Sequence, residues 1–410
     1  MDVVALGESM VTFLPGRPGR LADVPSFDRA IGGAESNVAC VLAAAGHTAR
    51  WVGRVGADGF GDHLVERIAG YGVDVSSVER DPARPTGVYF RTAGDRGTGA
   101  HEVAYYRAGS AASAMSVADV DLAAVRAGRV LHLSGITAAL SEDCRALMHT
   151  LTARHPGRPL LSFDVNHRPA LWPTPEAPLV LLDLARRADI VFVGEDEAEQ
   201  AWGVTGGPEA IRRALPEPGV LVVKQGRRGA TAFERDRPGG DRGAGAEACG
   251  EQPGRSGVDA RGAGVGACGG QPGCPGAGAE ACGGQPGRSG ADVRGAAPVA
   301  AQPTRTTATP PRATFEPAPT VDVVATTGAG DAFAAGFLHG TLRNLPLATR
   351  LRLGHLFAAA TLTTPADLAT PPARDHADRL SALDDTAWGR LRLAPGWTQA
   401  EWHEEEANTP

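Results

Sequence analysis

Short, continuous apolar runs recur along this chain, most of them followed by a segment of helical character. They fall at residues 3–6, 49–55, 130–134, 160–164, 190–193, 220–224, 230–233 and 320–324. A strand with one wet face alternates in polarity, whereas a strand without alternation needs both faces covered. Segments at 36–45, 58–71, 142–154, 177–187, 195–202, 208–214 and 330–343 read as helices that can provide that cover. The pattern predicts an α/β fold with a doubly wound, mostly parallel central sheet flanked by helices. Two regions break the pattern, residues 11–30 and 86–107. There, alternating or aromatic runs such as Gly87-Val88-Tyr89-Phe90-Arg91 are joined by glycine-rich turns. These predict a small β-lid beside the main domain.

Residues 235–313 differ from everything around them. Gly, Ala, Pro, Arg and Ser dominate, and a motif containing Ala-Glu-Ala-Cys-Gly at 246–250 returns at 279–283. Such a stretch cannot bury enough apolar area to offset the entropy of ordering it. It predicts a disordered insertion that splits one domain into 1–234 and 314–385, with 386–410 as a C-terminal tail. Cys249, Cys268, Cys274 and Cys282 lie in this segment at spacings that fit no zinc pattern, and it contains no His. Cys40 and Cys144 fall in helical segments and read as inert thiols.

Composition removes several classes of function. The chain is 42% hydrophobic and 21% charged with a net charge of −7, so neither nucleic acid nor an acidic membrane surface is an expected partner. No apolar run approaches the ~20 residues of a membrane span. The start, Met1-Asp2-Val3-Val4, is a strand with no basic leader. A cytoplasmic enzyme acting on a small molecule is the expectation.

The chemistry is concentrated in a few turns. At 323–337 an apolar run meets Thr326-Thr327-Gly328-Ala329-Gly330-Asp331 and then a helix rich in small residues. The N–H groups of Gly328, Ala329 and Gly330 can point at an anion, and the helix adds its positive end there. A carboxylate at Asp331 would repel a phosphate. It makes sense as a base that takes a proton from a hydroxyl attacking that phosphate. A second glycine site, Gly32-Gly33, opens a helix bearing Ser36 and Asn37. It reads either as a ligand approach or as a tight turn with a helix cap, and it is not the dinucleotide fingerprint. Asp164-Val165-Asn166-His167-Arg168 ends a strand at the sheet's carboxyl edge. Asn166 can hold phosphate oxygens or a metal-bound water, and Arg168 a carboxylate or phosphate. Acids at 195–197 are either ordinary first-turn residues or a Mg²⁺ site. Lys224-Gln225-Gly226-Arg227-Arg228-Gly229 is a hairpin that could line a nucleotide.

Together these residues resemble the ribokinase-like (PfkB) carbohydrate kinases. Gly32-Gly33 with Asn37 is similar to that family's N-terminal signature, and Thr326 to Asp331 to its C-terminal one. Within the family, the stretches 32–37, 86–90 and 105–113 are most similar to the 2-keto-3-deoxygluconate kinases. The resemblance implies an ATP- and Mg²⁺-dependent kinase with Asp331 as base and Gly328, Ala329 and Gly330 as anion hole. It implies a sugar acid facing Gly33, Asn37, Tyr89, Tyr105, Arg107, Ile136, Arg168 and Asp331. It implies ATP at Asn166, Lys224, Gly226, Gly229, Gly328 and Gly330, with Glu197 reaching Mg²⁺ indirectly and residues 355–364 near the adenine. Homo-oligomers through the lid are possible in such proteins. A neutral sugar such as fructose or ribose is the alternative substrate, and an inactive sugar-binding or regulatory protein the alternative role. Two positions depart from the family pattern: Gly194 where many relatives carry Asn, and Ala325 where many carry an Asp that helps hold potassium.

Overall fold

The computed structural model describes residues 1–17, 19–92, 102–172, 176–235 and 312–399. In chain order its strands are β1 (Val3–Leu6), β2 (Met10–Pro15), β3 (Phe27–Gly32), β4 (Ala49–Gly56), β5 (Val78–Asp81), β6 (Val88–Arg91), β7 (Val103–Tyr106), β8 (Val130–Ser134), β9 (Leu160–Asp164), β10 (Ile190–Gly194), β11 (Val220–Lys224), β12 (Gly229–Glu234), β13 (Arg312–Pro317), β14 (Thr320–Val321) and β15 (Arg392–Leu393). Nine of them form one sheet in the order β13-β12-β11-β10-β9-β8-β1-β4-β5. Its pairings are parallel except those of β12 with β11 and β13.

The apolar runs account for this sheet. In β10 every residue is buried, and the neighbouring β11 loses cover only at Lys224. One core, on the side of the helices Ala34–Ala44, Ala329–Leu342 and Leu347–Leu362, takes Phe192, Phe333 and Phe357. The other, under the helices Glu142–Thr152 and Ala177–Arg187, takes Leu133, Phe163 and Leu181. The chain enters the sheet at β1, winds outward to β4 and β5, then returns to build from β8 in the opposite direction. This reversal between β1 and β8 leaves a crevice at their carboxyl ends, the usual ligand position in an open α/β sheet.

A separate four-stranded sheet, in the order β3-β2-β6-β7, occupies the two regions that break the apolar pattern. Period-two alternation gives β6 two faces. Tyr89 and Arg91 are buried, while Val88 and Phe90 are intermediate. On the second face Phe90 stacks on Phe13 with ring centroids 4.6 Å apart.

Three expectations need correction. The run at 320–324 is not a strand of the large sheet. Only Thr320–Val321 is extended, paired with β15, and Val323 is exposed. The outermost strand is instead β13, which overlaps the end of the segment read as an insertion. Its sequence Arg-Ala-Thr-Phe-Glu-Pro carries no apolar run because it is an edge strand with Phe315 half exposed. The expected tail from 386 is folded as far as Gln399, with Trp388 fully buried. The rest of the expected insertion, with Cys249, Cys268, Cys274 and Cys282, lies outside the described residues.

Candidate active site

The helix Ala329–Leu342 begins at Gly328, whose backbone is left-handed at φ +79°. A Cβ at Gly328 would lie 2.0 Å from the carbonyl oxygen of Asp367, so both conformation and space require glycine. No side chain caps this helix. The helix's positive end is therefore uncapped at this turn, where the Ala329 N–H donates to Thr326 O at 3.4 Å. Asp331 sits in that first turn, and Asn37 Nδ2 donates to its Oδ2 at 2.8 Å. Burial pushes the Asp331 carboxyl up to about 7, and the Asp164 carboxylate adds to the rise. Asn37, Lys224 and Arg168 pull the other way. A group poised there can both accept and release a proton near neutrality.

Two cavities flank this turn. The smaller, about 460 Å³, lies over the β1/β8 crevice and under the small sheet. Gly33, Asn37, Tyr89, Tyr105, Arg107, Ile136, Asn166, Arg168, Glu197, Gly328 and Asp331 all line it. The larger, about 910 Å³, is lined by Gly226, Gly229, Ala329 and the segment 318–324, with His355, Ala358 and Leu362 from the helix Leu347–Leu362. Lys224, Thr326 and Gly330 line both, so the glycine turn and Asp331 stand at their junction.

The smaller cavity is dense in charge, and most of that charge is already paired. Arg107 is bonded to the buried Glu8, whose other oxygen accepts from Ser110 Oγ at 2.7 Å. Arg91 donates to Asp367 at 2.5 Å, and Tyr89 bonds the same carboxylate. The two arginines expected to face the sugar acid are therefore unlike. Arg107 is buried against Glu8, while the Arg168 side chain is 53% exposed and reaches Glu197 only at 3.5 Å.

Lys224 Nζ is 3.1 Å from each oxygen of Asp164 and 3.9 Å from Glu197. Burial alone would lower its pKa, but these two carboxylates outweigh burial and raise it, so it stays a cation. Glu197 also accepts the Gly194 N–H at 2.7 Å. Among the described residues no group of three or more His, Cys, Asp or Glu is placed to hold a metal. Glu197 is thus no member of a ready-made metal cage.

Whether a phosphate donor and its Mg²⁺ fit is tested by what is left unbonded. Asn37 Oδ1 and Asn166 Oδ1 are buried without partners, and Asn166 holds a left-handed backbone at φ +39°. Buried polar atoms are nearly always satisfied, so these two await a ligand or water. With the Gly328 and Gly330 amides at the uncapped helix start and the Lys224 cation, they fit such a group.

Four charged lining residues, Glu8, Arg91, Asp164 and Asp367, were given no role in the sequence reading. Asp164 ends β9 and Glu8 lies two residues past β1, both at the sheet's carboxyl edge, which was a usable signal. Arg91 shares a strand face with Tyr89, as the period of two indicates. Asp367 follows the helix Leu347–Leu362 in a loop, and nothing local marks it.

Comparison with known proteins is consistent with this geometry. The sequence pattern described as "pfkB family carbohydrate kinase" matches residues 1–270 and 312–374. A 2-dehydro-3-deoxygluconokinase of Thermoproteus tenax is 36% identical over 237 residues, covering 57% of this chain and 72% of its own. Fructokinase-1 of Oryza sativa subsp. japonica is 34% identical over 239 residues, covering 57% and 73%. Among solved structures, an uncharacterized sugar kinase of Pyrococcus horikoshii in complex with ATP superposes with a TM-score of 0.64 at 20% identity, covering 91% of this chain and 96% of that one.

Proposed function

The chain belongs to the pfkB family of carbohydrate kinases, and on that premise we propose that it phosphorylates the 6-hydroxyl of 2-keto-3-deoxy-D-gluconate with ATP. One observation carries the reading: Asp331, fixed by Asn37 and poised at about 7, lies where two cavities meet at a glycine turn. The smaller cavity takes the sugar acid, and Arg168, exposed and loosely paired, is the cation free to meet its carboxylate. The larger cavity takes the nucleotide; that a neighbour of the same fold was solved in complex with ATP supports ATP as the donor.

ATP supplies the phosphoryl group and Mg²⁺ screens its charge. Asp331 takes the proton from the attacking hydroxyl as the new P–O bond forms and the bond to the leaving diphosphate breaks. Asn37 orients the Asp331 carboxylate for that transfer. The amides at 328–330 stabilise negative charge at the junction, and Lys224 adds a cation held in place by Asp164. Asn166 and Glu197 would hold the metal-bound water and phosphate side. The small sheet, through Tyr89 and Tyr105, covers the sugar and keeps water from competing as acceptor.

A neutral ketose is the second reading. The 34% identical fructokinase favours it, as does the ion pair that already occupies Arg107. A coupled assay of ADP release over 2-keto-3-deoxygluconate, gluconate, fructose and ribose separates the two. The highest kcat/KM is expected with 2-keto-3-deoxygluconate, and a higher value with fructose would overturn the sugar-acid reading. Folded protein that binds a sugar without ADP release would instead mark an inactive binding protein.

A further inference from the structure

The wall of the larger cavity at 318–324 has little support from the large sheet. Its backbone hangs between two neighbours. On one side Val324 N–H donates to Leu362 O at 2.7 Å. On the other, Thr320 N–H and Asp322 N–H donate to the carbonyls of Leu391 and Leu393, each at 3.0 Å. That second support is the segment 385–399, which lies beyond the span matched by the family pattern.

The segment is itself firmly seated. Trp388 is fully buried, and its Nε1 donates to Pro317 O at 2.9 Å. The Arg352 guanidinium lies 5.0 Å from its ring centroid, a cation–π distance. Pro395, just past β15, lines the cavity directly. The same stretch that fixes the wall therefore also forms part of the rim.

We propose that residues 385–399 form part of the nucleotide-binding site: they hold the 318–324 wall in register and, through Pro395, close the rim against the base and ribose of the bound nucleotide. This rests on the larger cavity being the nucleotide site. The ligand recognised is a nucleoside triphosphate through its base and ribose, and the sugar-side cavity is untouched.

Two variants test the rim contact and the site on which it depends. Pro395→Trp narrows the rim from the C-terminal segment, at a position that is exposed and need not disturb folding. Ala358→Trp narrows the same cavity from the opposite helix. Kinetics are measured with ATP and with the preferred sugar, and binding of a fluorescent N-methylanthraniloyl ADP is titrated directly. Pro395→Trp should raise the KM for ATP and the dissociation constant of the probe about tenfold or more, with kcat and the sugar KM within about twofold, the signature of lost uniform binding. A normal nucleotide KM in Pro395→Trp with a raised one in Ala358→Trp would remove the segment from the site and keep the cavity. Normal values in both would show that the cavity does not take the nucleotide, and the proposal would fall with it. A change in sugar KM alone in Pro395→Trp would also overturn it.

Discussion

The two cavities that meet at Lys224 are built in opposite ways. The smaller is made of side chains brought together from distant parts of the chain, with Glu8 on Arg107 and Asp367 on Arg91. The larger is mostly backbone and apolar surface, from the 318–324 wall, the glycines at 226 and 229 and one helix face. Its His355 is kept neutral by burial, which lowers it to about 4. In the first cavity fixed ion pairs consume most of the charge, so selectivity falls to the few unpaired atoms. In the second the charged lining is Lys224, Arg227 and Asp322, and shape decides the rest.

The sharpest test strikes the junction itself. Asp331→Asn should keep both cavities and lower kcat by roughly 10²–10⁴-fold, the usual contribution of a positioned base. A loss below about tenfold would take Asp331 out of that role. The same change should alter stability in the opposite sense. The folded protein holds the Asp331 proton more tightly than the unfolded chain, whose value is 3.8. Stability from this group is therefore full below about 4 and lost as pH rises through about 7. Thermal melting at pH 8 should show Asp331→Asn the more stable protein, with the difference vanishing near pH 4.

The two arginines of the sugar cavity should then part company. Arg107→Ala leaves Glu8 buried without its partner and should destabilise the fold by about 3–5 kcal/mol, lowering turnover on every sugar. Arg168→Ala should leave stability nearly unchanged and raise KM for sugar acids only. Denaturant melts and kinetics on an acid and a neutral sugar measure both. Equal behaviour of the two variants would erase the contrast drawn between a fixed and a free cation.

A pH profile probes the junction more gently. With Asp331 required as the free carboxylate, log kcat/KM should climb with unit slope up to about pH 7 and level off above it. A flat profile between pH 5.5 and 8 would place the proton acceptor elsewhere.

The smallest effect is expected from the connection between β12 and β13. Replacing 236–311 with a short Gly-Ser turn should leave kinetics unchanged. Shortening that connection alters its closure entropy by about 2.5 kcal/mol, in the stabilising direction. Loss of nucleotide binding in a folded deletion variant would tie that segment to the larger cavity.

Most of the large sheet was legible in the sequence, because strands covered on both faces leave apolar runs that nothing else explains. β10 and β11 are examples. The edge strand β13 was not legible, since one open face removes the run. The run at 320–324 misled for the converse reason: Val321 and Val324 serve a cavity wall, not a sheet. In the site, Asp331, Asn37 and the glycines were readable because their chemistry is local, a turn that leads into a helix. Pairings such as Tyr89 and Arg91 with Asp367 join residues 276 or more positions apart, and no spacing rule connects them.

The register of β12 with β13 sets Glu234 opposite Arg312. Two residues facing each other on antiparallel strands are about 5 Å apart, whatever lies between them in the chain. That rung is a natural seam. A chain opened there, with its present ends joined by a linker, would keep every strand of the sheet where it is. A fluorescent protein or an affinity handle spliced into the same place would ride at the sheet's edge and report on the enzyme without entering either cavity.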